Sequence, residues 1–326
     1  MTPRLILSGP TASGKGEVAH EVARRTGAEI LVMDSMKIYR EMDIVTAKPS
    51  PQRRAEVRYH LLDLADCADE FSVGDYLSRA IETVRDVESR GKPVVFCGGT
   101  ALYLQALLAG LFRGPRADWG VRTQLIEEAR TAGLNCLYER LRALDAPAAQ
   151  KIHPNDERRI VRALEVCALT GTALTRLWTG PSARLEPGTC VLVGLAWQRP
   201  ELYRRIDARV LRMAREGLFE EAEALSLRSR GLGRAASRCI GIKEIVALRE
   251  TGASREATLL LIQRNTRRFA KQQGTWHRRF PFRWIQASGT AALSAWVEEA
   301  LRHWERGPDP AIESPCGATD ASGSSR

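Results

Sequence analysis

The chain has 326 residues, 44% hydrophobic and 27% charged, and its 49 Lys and Arg outnumber its 39 Asp and Glu for a net charge of +10. That length fits one large α/β domain with an inserted or appended unit, and the apolar share excludes a chain disordered throughout. No run approaches the ~18 apolar residues of a membrane span, the N-terminal apolar run 5–7 is too short for a secretory signal, and seven cysteines without C-x-x-C spacing argue against a zinc site or disulfide framework and for a reducing cytoplasm.

Residues 4–8, RLILS, read as a short strand running into a Gly-rich loop, GPTASGKG (9–16), and a helix over 17–25. Residues 29–33, EILVM, read as a second strand ending at Asp34 and Ser35. A short strand over 59–64, a helix over 74–90 closed by Gly91, a buried-type strand PVVFC (93–97), the triplet Gly98-Gly99-Thr100 and a helix over 101–108 follow. The alternation predicts a parallel sheet with helices on both faces. After Gly114 the next strand pattern is CVLVGLA (190–196), so 116–188 is expected to be a helical insertion, with 1–115 and 189–306 forming the core. Residues 201–306 read as mostly helical, and 307–326, with three Gly, three Pro and four Ser, as a disordered tail.

G-x-x-x-x-G-K between a strand and a helix is a specific signal. The segment Gly9, Pro10, Thr11, Ala12, Ser13, Gly14, Lys15 and Gly16 is expected to surround a phosphate chain with backbone N–H groups, aided by the helix dipole and the Lys15 charge. The residue after the Lys is usually a Ser or Thr that ligates Mg²⁺. Gly16 stands there instead, which leaves Thr11, Ser13 or Ser35 as substitutes. Ligands bind at the carboxyl edge of such sheets, where Asp34 and Thr100 both end strands. A carboxylate there can accept a proton or hold a metal. Taken alone, Asp34 also suits a turn or cap, and Thr100 a helix N-cap.

Two helical segments are strongly basic. In ERRIVRALEV (157–166), Ile160, Val161, Leu164 and Cys167 form an apolar face, with Arg158 and Arg162 one turn apart and Arg159 beside them. Further on, Leu259, Ile262, Thr266, Phe269, Gln273 and Trp276 trace a packing seam, with Arg264, Arg268 and Lys271 on roughly the opposite face. Eight Arg or Lys and a single Glu between 255 and 283 make nucleic-acid contact the stronger reading over a plain solvated face. Arg supplies 42 of the 49 basic residues, which suits phosphate recognition but also follows from a GC-rich genome.

Together these segments resemble the tRNA dimethylallyltransferases. The resemblance rests on GPTASGK (9–15), DSMKIYREMDIVTAKP (34–49), HLLDL (60–64), FSVGDY (71–76), GGTALYLQALLAGL (98–111), HPNDERRIVRALEV (153–166) and RRFAKQQGTWHRR (267–279), and runs to about Ile285. It implies a P-loop NTPase-like α/β fold and transfer of a dimethylallyl group from dimethylallyl diphosphate to N6 of the adenosine beside the anticodon of tRNA, releasing diphosphate, with Mg²⁺. By resemblance Asp34 is the base, Lys15 meets the leaving group and Thr100 contacts the adenosine. The tRNA anticodon stem-loop is then met by Asp34, Ser35, Met36, Lys37, Thr100, Arg122, Arg158, Arg159, Ile160, Val161, Arg162, Arg238, Cys239, Ile240, Gly241, Ile242 and Lys243, besides the basic face of Arg264, Arg268 and Lys271. The absence of a zinc finger after the last helix matches the bacterial type, expected as a cytoplasmic monomer.

The sequence departs from the family pattern at Gly16, at Ala101 where Gly is common, at Ile242 and His277 where aromatics are usual, and at Gly274 inside a helix, which costs about 1 kcal/mol. Two other functions remain open at this point: a P-loop kinase of a small metabolite, and a tRNA-binding protein whose catalysis is impaired by Gly16.

Overall fold

The computed structural model describes residues 3–112, 114–177, 184–186, 188–289 and 292–308 and divides into two compact units, Met1–Ala109 with Arg184–Arg326, and Gly110–Ala183. The expected tail beyond Pro308 lies outside the described residues.

The larger unit begins with β1 (Arg4–Ser8), α1 (Lys15–Thr26), β2 (Glu29–Met33), α2 (Pro51–Glu56), β3 (Tyr59–His60), α3 (Val73–Ser89), β4 (Val94–Gly98) and α4 (Ala101–Ala109). The smaller unit holds α5 (Trp119–Ala132), α6 (Leu134–Leu144), α7 (Ala146–Lys151) and α8 (Glu157–Thr170) around a core of Leu125, Leu137, Leu141, Ile160, Val161 and Leu164. The chain returns to the larger unit with β5 (Cys190–Trp197), α9 (Arg199–Arg215), α10 (Leu218–Ser226), α11 (Ile242–Thr251), α12 (Arg255–His277), β6 (Arg283–Ala287) and α13 (Leu293–Glu305).

The six strands pair in parallel in the order β3-β2-β4-β1-β5-β6. β1, β2 and β4 are near-continuous apolar runs because helices cover both faces of a parallel sheet. The register decides where the chemistry sits. Ser8 and Met33 both pair with Gly98, so β1, β2 and β4 end level and deliver Gly9, Asp34 and Gly99 to one edge. A methyl group at Gly98 would overlap the Met33 carbonyl, so this close approach requires glycine.

Three expectations need correction, and one strand goes beyond them. The strand expected over 59–64 stops at His60, because Leu61 and Asp63 adopt positive φ and Asp63 is turned to ion-pair with Lys48 and Arg54. The insertion expected over 116–188 is a unit spanning 110–183, and Leu185 is already buried in the larger unit, its N–H donating to the Leu107 carbonyl. The region 201–306 is mostly helical as expected, and Arg283–Ala287 adds a sixth strand at the sheet edge. The seam of α12 runs through Thr258, Ile262, Ala270, Gln273 and His277, which leaves Phe269 42% exposed. Gly274 does not break α12.

Candidate active site

The loop between β1 and α1 closes on Gly14, whose φ of +91° in the left-handed region opens the helix at Lys15. The first amides of α1 have no acceptor within the helix and are therefore available to an anion. Lys15 Nζ donates to the Pro10 carbonyl at 3.1 Å, which holds the ammonium over its own loop. Desolvation pulls Lys15 down to about 8, against the opposing pull of Cys97 and Asp34. Lys37 and Arg209 are lowered too, chiefly by desolvation, with Asp34 opposing the shift in each. Three cations thus lie in the field of Asp34 at the sheet edge, with Glu17 acting on Lys37 and Arg209 as well. An anion with two or more charges would restore what each has lost by leaving water.

Arg209 was not among the residues expected from sequence. It lies on α9 with Nη1 3.4 Å from Thr11 Oγ1, and Arg205, one turn earlier, donates Nε to the Ala12 carbonyl at 2.9 Å. The only sequence signal was their spacing of four on one helix. Trp197 Nε1 donates to the Ser13 carbonyl at 2.9 Å, while Gln273 Oε1 accepts from the Thr11 amide at 2.8 Å. The loop is thereby braced from β5, α9 and α12.

Asp34 follows β2, and its Oδ1 accepts from the amides of Met36 and Lys37 at 2.9 and 3.3 Å. Oδ2 accepts no hydrogen bond among the described residues. Thr100 opens α4 after β4, and its Oγ1 accepts from the Ser35 amide at 3.1 Å, leaving the hydroxyl proton free to donate. The structure therefore brings together Lys15, Asp34, Ser35, Met36, Lys37 and Thr100 at one edge, beside the loop. No group of three or more His, Cys, Asp or Glu placed to hold a metal occurs among the described residues. Ser13 Oγ, in the loop, is buried without a hydrogen-bond partner.

The expected RNA contacts divide. Arg158, Arg159, Arg238, Lys243, Arg264, Arg268 and Lys271 are exposed. Arg159 pairs with Asp156 and Lys243 with Glu244, whereas Arg264, Arg268 and Lys271 make no ion pair among the described residues. Arg122 and Arg162 are correspondingly less free, since both bond to the buried carboxylate of Glu165 at 2.9 and 2.6 Å. A buried charge needs such partners. Ile160, Val161, Cys239 and Ile242 side chains are buried in the cores of their units, so only their backbones remain for a ligand. Ile240 is half-buried, and Gly241 caps α11, its amide donating to Glu244.

His277 sits behind the loop with Nε2 3.1 Å from Ser8 Oγ. Ser8 gives its proton to the Gly98 carbonyl at 2.7 Å, so Nε2 carries the imidazole proton and the buried Nδ1 has no partner. Desolvation, and then Lys15, pull this imidazole down to about 4. The unfolded chain therefore binds a proton between pH 6.5 and 4 that the folded chain refuses, and stability falls as pH falls through that window. The loss is on the order of 3 kcal/mol in full and about 2 kcal/mol by pH 5. Thermal melts at pH 7 and pH 5 should show a smaller acid drop for His277→Phe than for the parent. Equal drops would place the titration elsewhere.

A family profile described as IPP transferase matches residues 37–280. The chain is 42% identical over 286 residues to a tRNA dimethylallyltransferase of Geobacter sulfurreducens, covering 87% of this chain and 92% of that protein. It is 43% identical over 278 residues to the Geobacter metallireducens protein of the same name, covering 85% and 90%. Among solved structures it resembles a tRNA isopentenylpyrophosphate transferase from Bacillus halodurans, with a TM-score of 0.65, 31% identity, and 94% and 98% of the two chains covered. A eukaryotic dimethylallyltransferase, solved acting on tRNA, shares the fold with a TM-score of 0.78 at 22% identity, covering 96% and 81%.

Proposed function

The chain belongs to the IPP transferase family, and we propose that it transfers a dimethylallyl group from dimethylallyl diphosphate to N6 of the adenosine beside the anticodon of tRNA, releasing diphosphate. One observation carries the reading: the phosphate loop with Lys15 lies level with Asp34 and Thr100 at the ends of neighbouring strands. The phosphate loop, Asp34 and Thr100 all come from the larger unit of a single chain, in keeping with a monomer, and the cytoplasm is where an unmodified tRNA is met.

The chemistry follows from the groups. The exocyclic amine of adenine is a weak nucleophile because its lone pair is delocalised into the ring. As N6 bonds to the allylic carbon, the carbon–oxygen bond to diphosphate breaks and its electron pair leaves with the oxygen. The N6 proton passes to the free Oδ2 of Asp34, whose other oxygen is fixed by two amides. The charge gathering on the leaving group is met by Lys15, Arg209 and the amides that open α1. Thr100, fixed by the Ser35 amide, has its proton to offer the incoming base. A loop nucleotide leaves its stack cheaply enough to enter such a cleft.

Mg²⁺ would fit this site with the orphaned Ser13 hydroxyl and Thr11 as the protein oxygens at hand, Asp34 being kept for the proton. When bound it would neutralise charge on the diphosphate. Gly16 is where a further hydroxyl would stand, and a Cβ there meets nothing within 4 Å. Gly16→Thr is therefore expected to lower the Mg²⁺ concentration at half-maximal rate about five-fold, the worth of one net hydrogen bond of about 1 kcal/mol. Calorimetric Mg²⁺ affinity of the diphosphate-loaded enzyme should shift alongside. Gly16→Ala adds helix propensity without a ligand, so an equal shift from Ala would show that the hydroxyl is irrelevant.

The reading is tested with radiolabelled dimethylallyl diphosphate and unmodified tRNA. Label transferred to tRNA supports it. ATP-dependent phosphorylation of a metabolite would replace it with a kinase, and tRNA binding without transfer would leave a binding protein.

A further inference from the structure

We propose that Gln273 is a positioning residue that sets the phosphate loop and the Gly99-Thr100 turn at a fixed separation, and so fixes the donor relative to the groups that receive the adenosine. The carboxamide is buried and bonded through both its oxygen and its nitrogen. Oε1 accepts from the Thr11 amide at 2.8 Å, and Nε2 donates to the Gly99 carbonyl at 3.0 Å. Thr11 lies in the loop that carries Lys15, and the Gly99 carbonyl immediately precedes Thr100. Lys15, Trp197 and Arg205 each hold one loop carbonyl and Cys97 Sγ, on β4, reaches the Lys15 carbonyl at 3.6 Å, whereas Gln273 holds a loop amide and the Gly99 carbonyl with one carboxamide.

Two further observations show that this place is built for the carboxamide. A methyl group at Gly99 would collide with the Gln273 amide nitrogen, so the missing side chain there makes room for it. One turn further along α12, His277 meets Ser8, which in turn donates to Gly98. The buried face of α12 thus grips the ends of β1 and β4 twice. The exposed face of the same helix carries Arg264, Arg268 and Lys271. Because Thr11 N–H is already taken, the loop offers an anion its later amides, and it is held in shape before the anion arrives. Such preorganisation strengthens binding by removing an ordering cost.

The inference rests on the prenyl-transfer reading for its kinetic test only. Gln273→Met keeps the bulk and loses both hydrogen bonds. Its affinity for inorganic diphosphate, measured by calorimetry, should fall about ten-fold as preorganisation is lost. If prenyl transfer is the reaction, kcat should fall a further 10-fold or so, toward the ~10²-fold cost of an ångström of misplacement. The tRNA Kd should stay within about two-fold, since the phosphate-contacting face is untouched.

Gln273→Glu gives the readout a merely structural residue would not move. Ionised, the carboxylate can accept from Thr11 but opposes the Gly99 carbonyl. Protonated, it donates to Gly99 and accepts from Thr11 as the carboxamide does. The ratio of variant to parent diphosphate affinity, and of their kcat, should therefore rise as pH falls from 8 to 5, with the Gln273→Met ratio flat. A Gln273→Met protein that binds diphosphate within two-fold of the parent, or a flat Gln273→Glu ratio, overturns the proposal. A parent that transfers no prenyl group overturns the reaction reading alone, and the diphosphate measurements still decide for or against Gln273.

Discussion

Asp34→Asn is expected to lower single-turnover transfer by about 10² to 10⁴, the usual worth of a positioned general base, while tRNA affinity stays within a few-fold. The substitution separates chemistry from architecture. Asn keeps a carbonyl oxygen to accept from the Met36 and Lys37 amides, so the turn after β2 has the same hydrogen bonds. What it loses is the basic lone pair and the negative charge. The charge matters separately, because Asp34 opposes the lowering of Lys15, Lys37 and Arg209. With it gone, the pocket becomes more positive, and inorganic diphosphate should bind as tightly as in the parent or tighter. A folding defect would weaken diphosphate and tRNA together. A variant that keeps more than a tenth of parental turnover would show that Asp34 is not the base.

The parts of this site that were legible in sequence are the local ones. The loop 9–16 and the strand before it are contiguous, so spacing alone marks Lys15, and Asp34 and Thr100 are marked by standing just past apolar runs. Arg209 and Gln273 carry no such mark. Their roles exist only because α9 and α12 are brought onto a loop 198 and 262 residues earlier in the chain, and on their own they read as one Arg among 42 and one position in a seam. Charge spacing was equally blind to partners. Arg122 and Arg162 look as free as Arg158, yet Glu165 fixes both from inside the smaller unit. The three- and four-residue spacing on α12 allowed two neighbouring faces, and the buried one passed through Ala270 and His277, leaving Phe269 outside. The sixth strand was hidden for another reason: RWIQA is only five residues long and lacks the continuous apolar run of the inner strands.

Replacing Arg264, Arg268 and Lys271 together with Ala is expected to weaken tRNA binding about 10²- to 10³-fold at 0.1 M salt and to flatten the slope of log K against log salt by about 2–3 units, as three lost phosphate contacts require. The three side chains are exposed on one helix and unpaired among the described residues. Nothing among the described residues therefore needs their charge, and Ala suits a helix as well as Arg or Lys, so stability should hold. Arg267, their neighbour, is the internal control. It is bonded to Asp207 and lies near the Tyr203 ring, so Arg267→Ala should cost stability and leave the salt slope nearly unchanged. Affinity for inorganic diphosphate should be the same in parent and triple variant, because Lys15, Arg209 and the Gln273 tie are intact. A salt titration of tRNA binding with all three proteins decides the matter: an unchanged slope in the triple variant would mean that this face of α12 does not touch RNA.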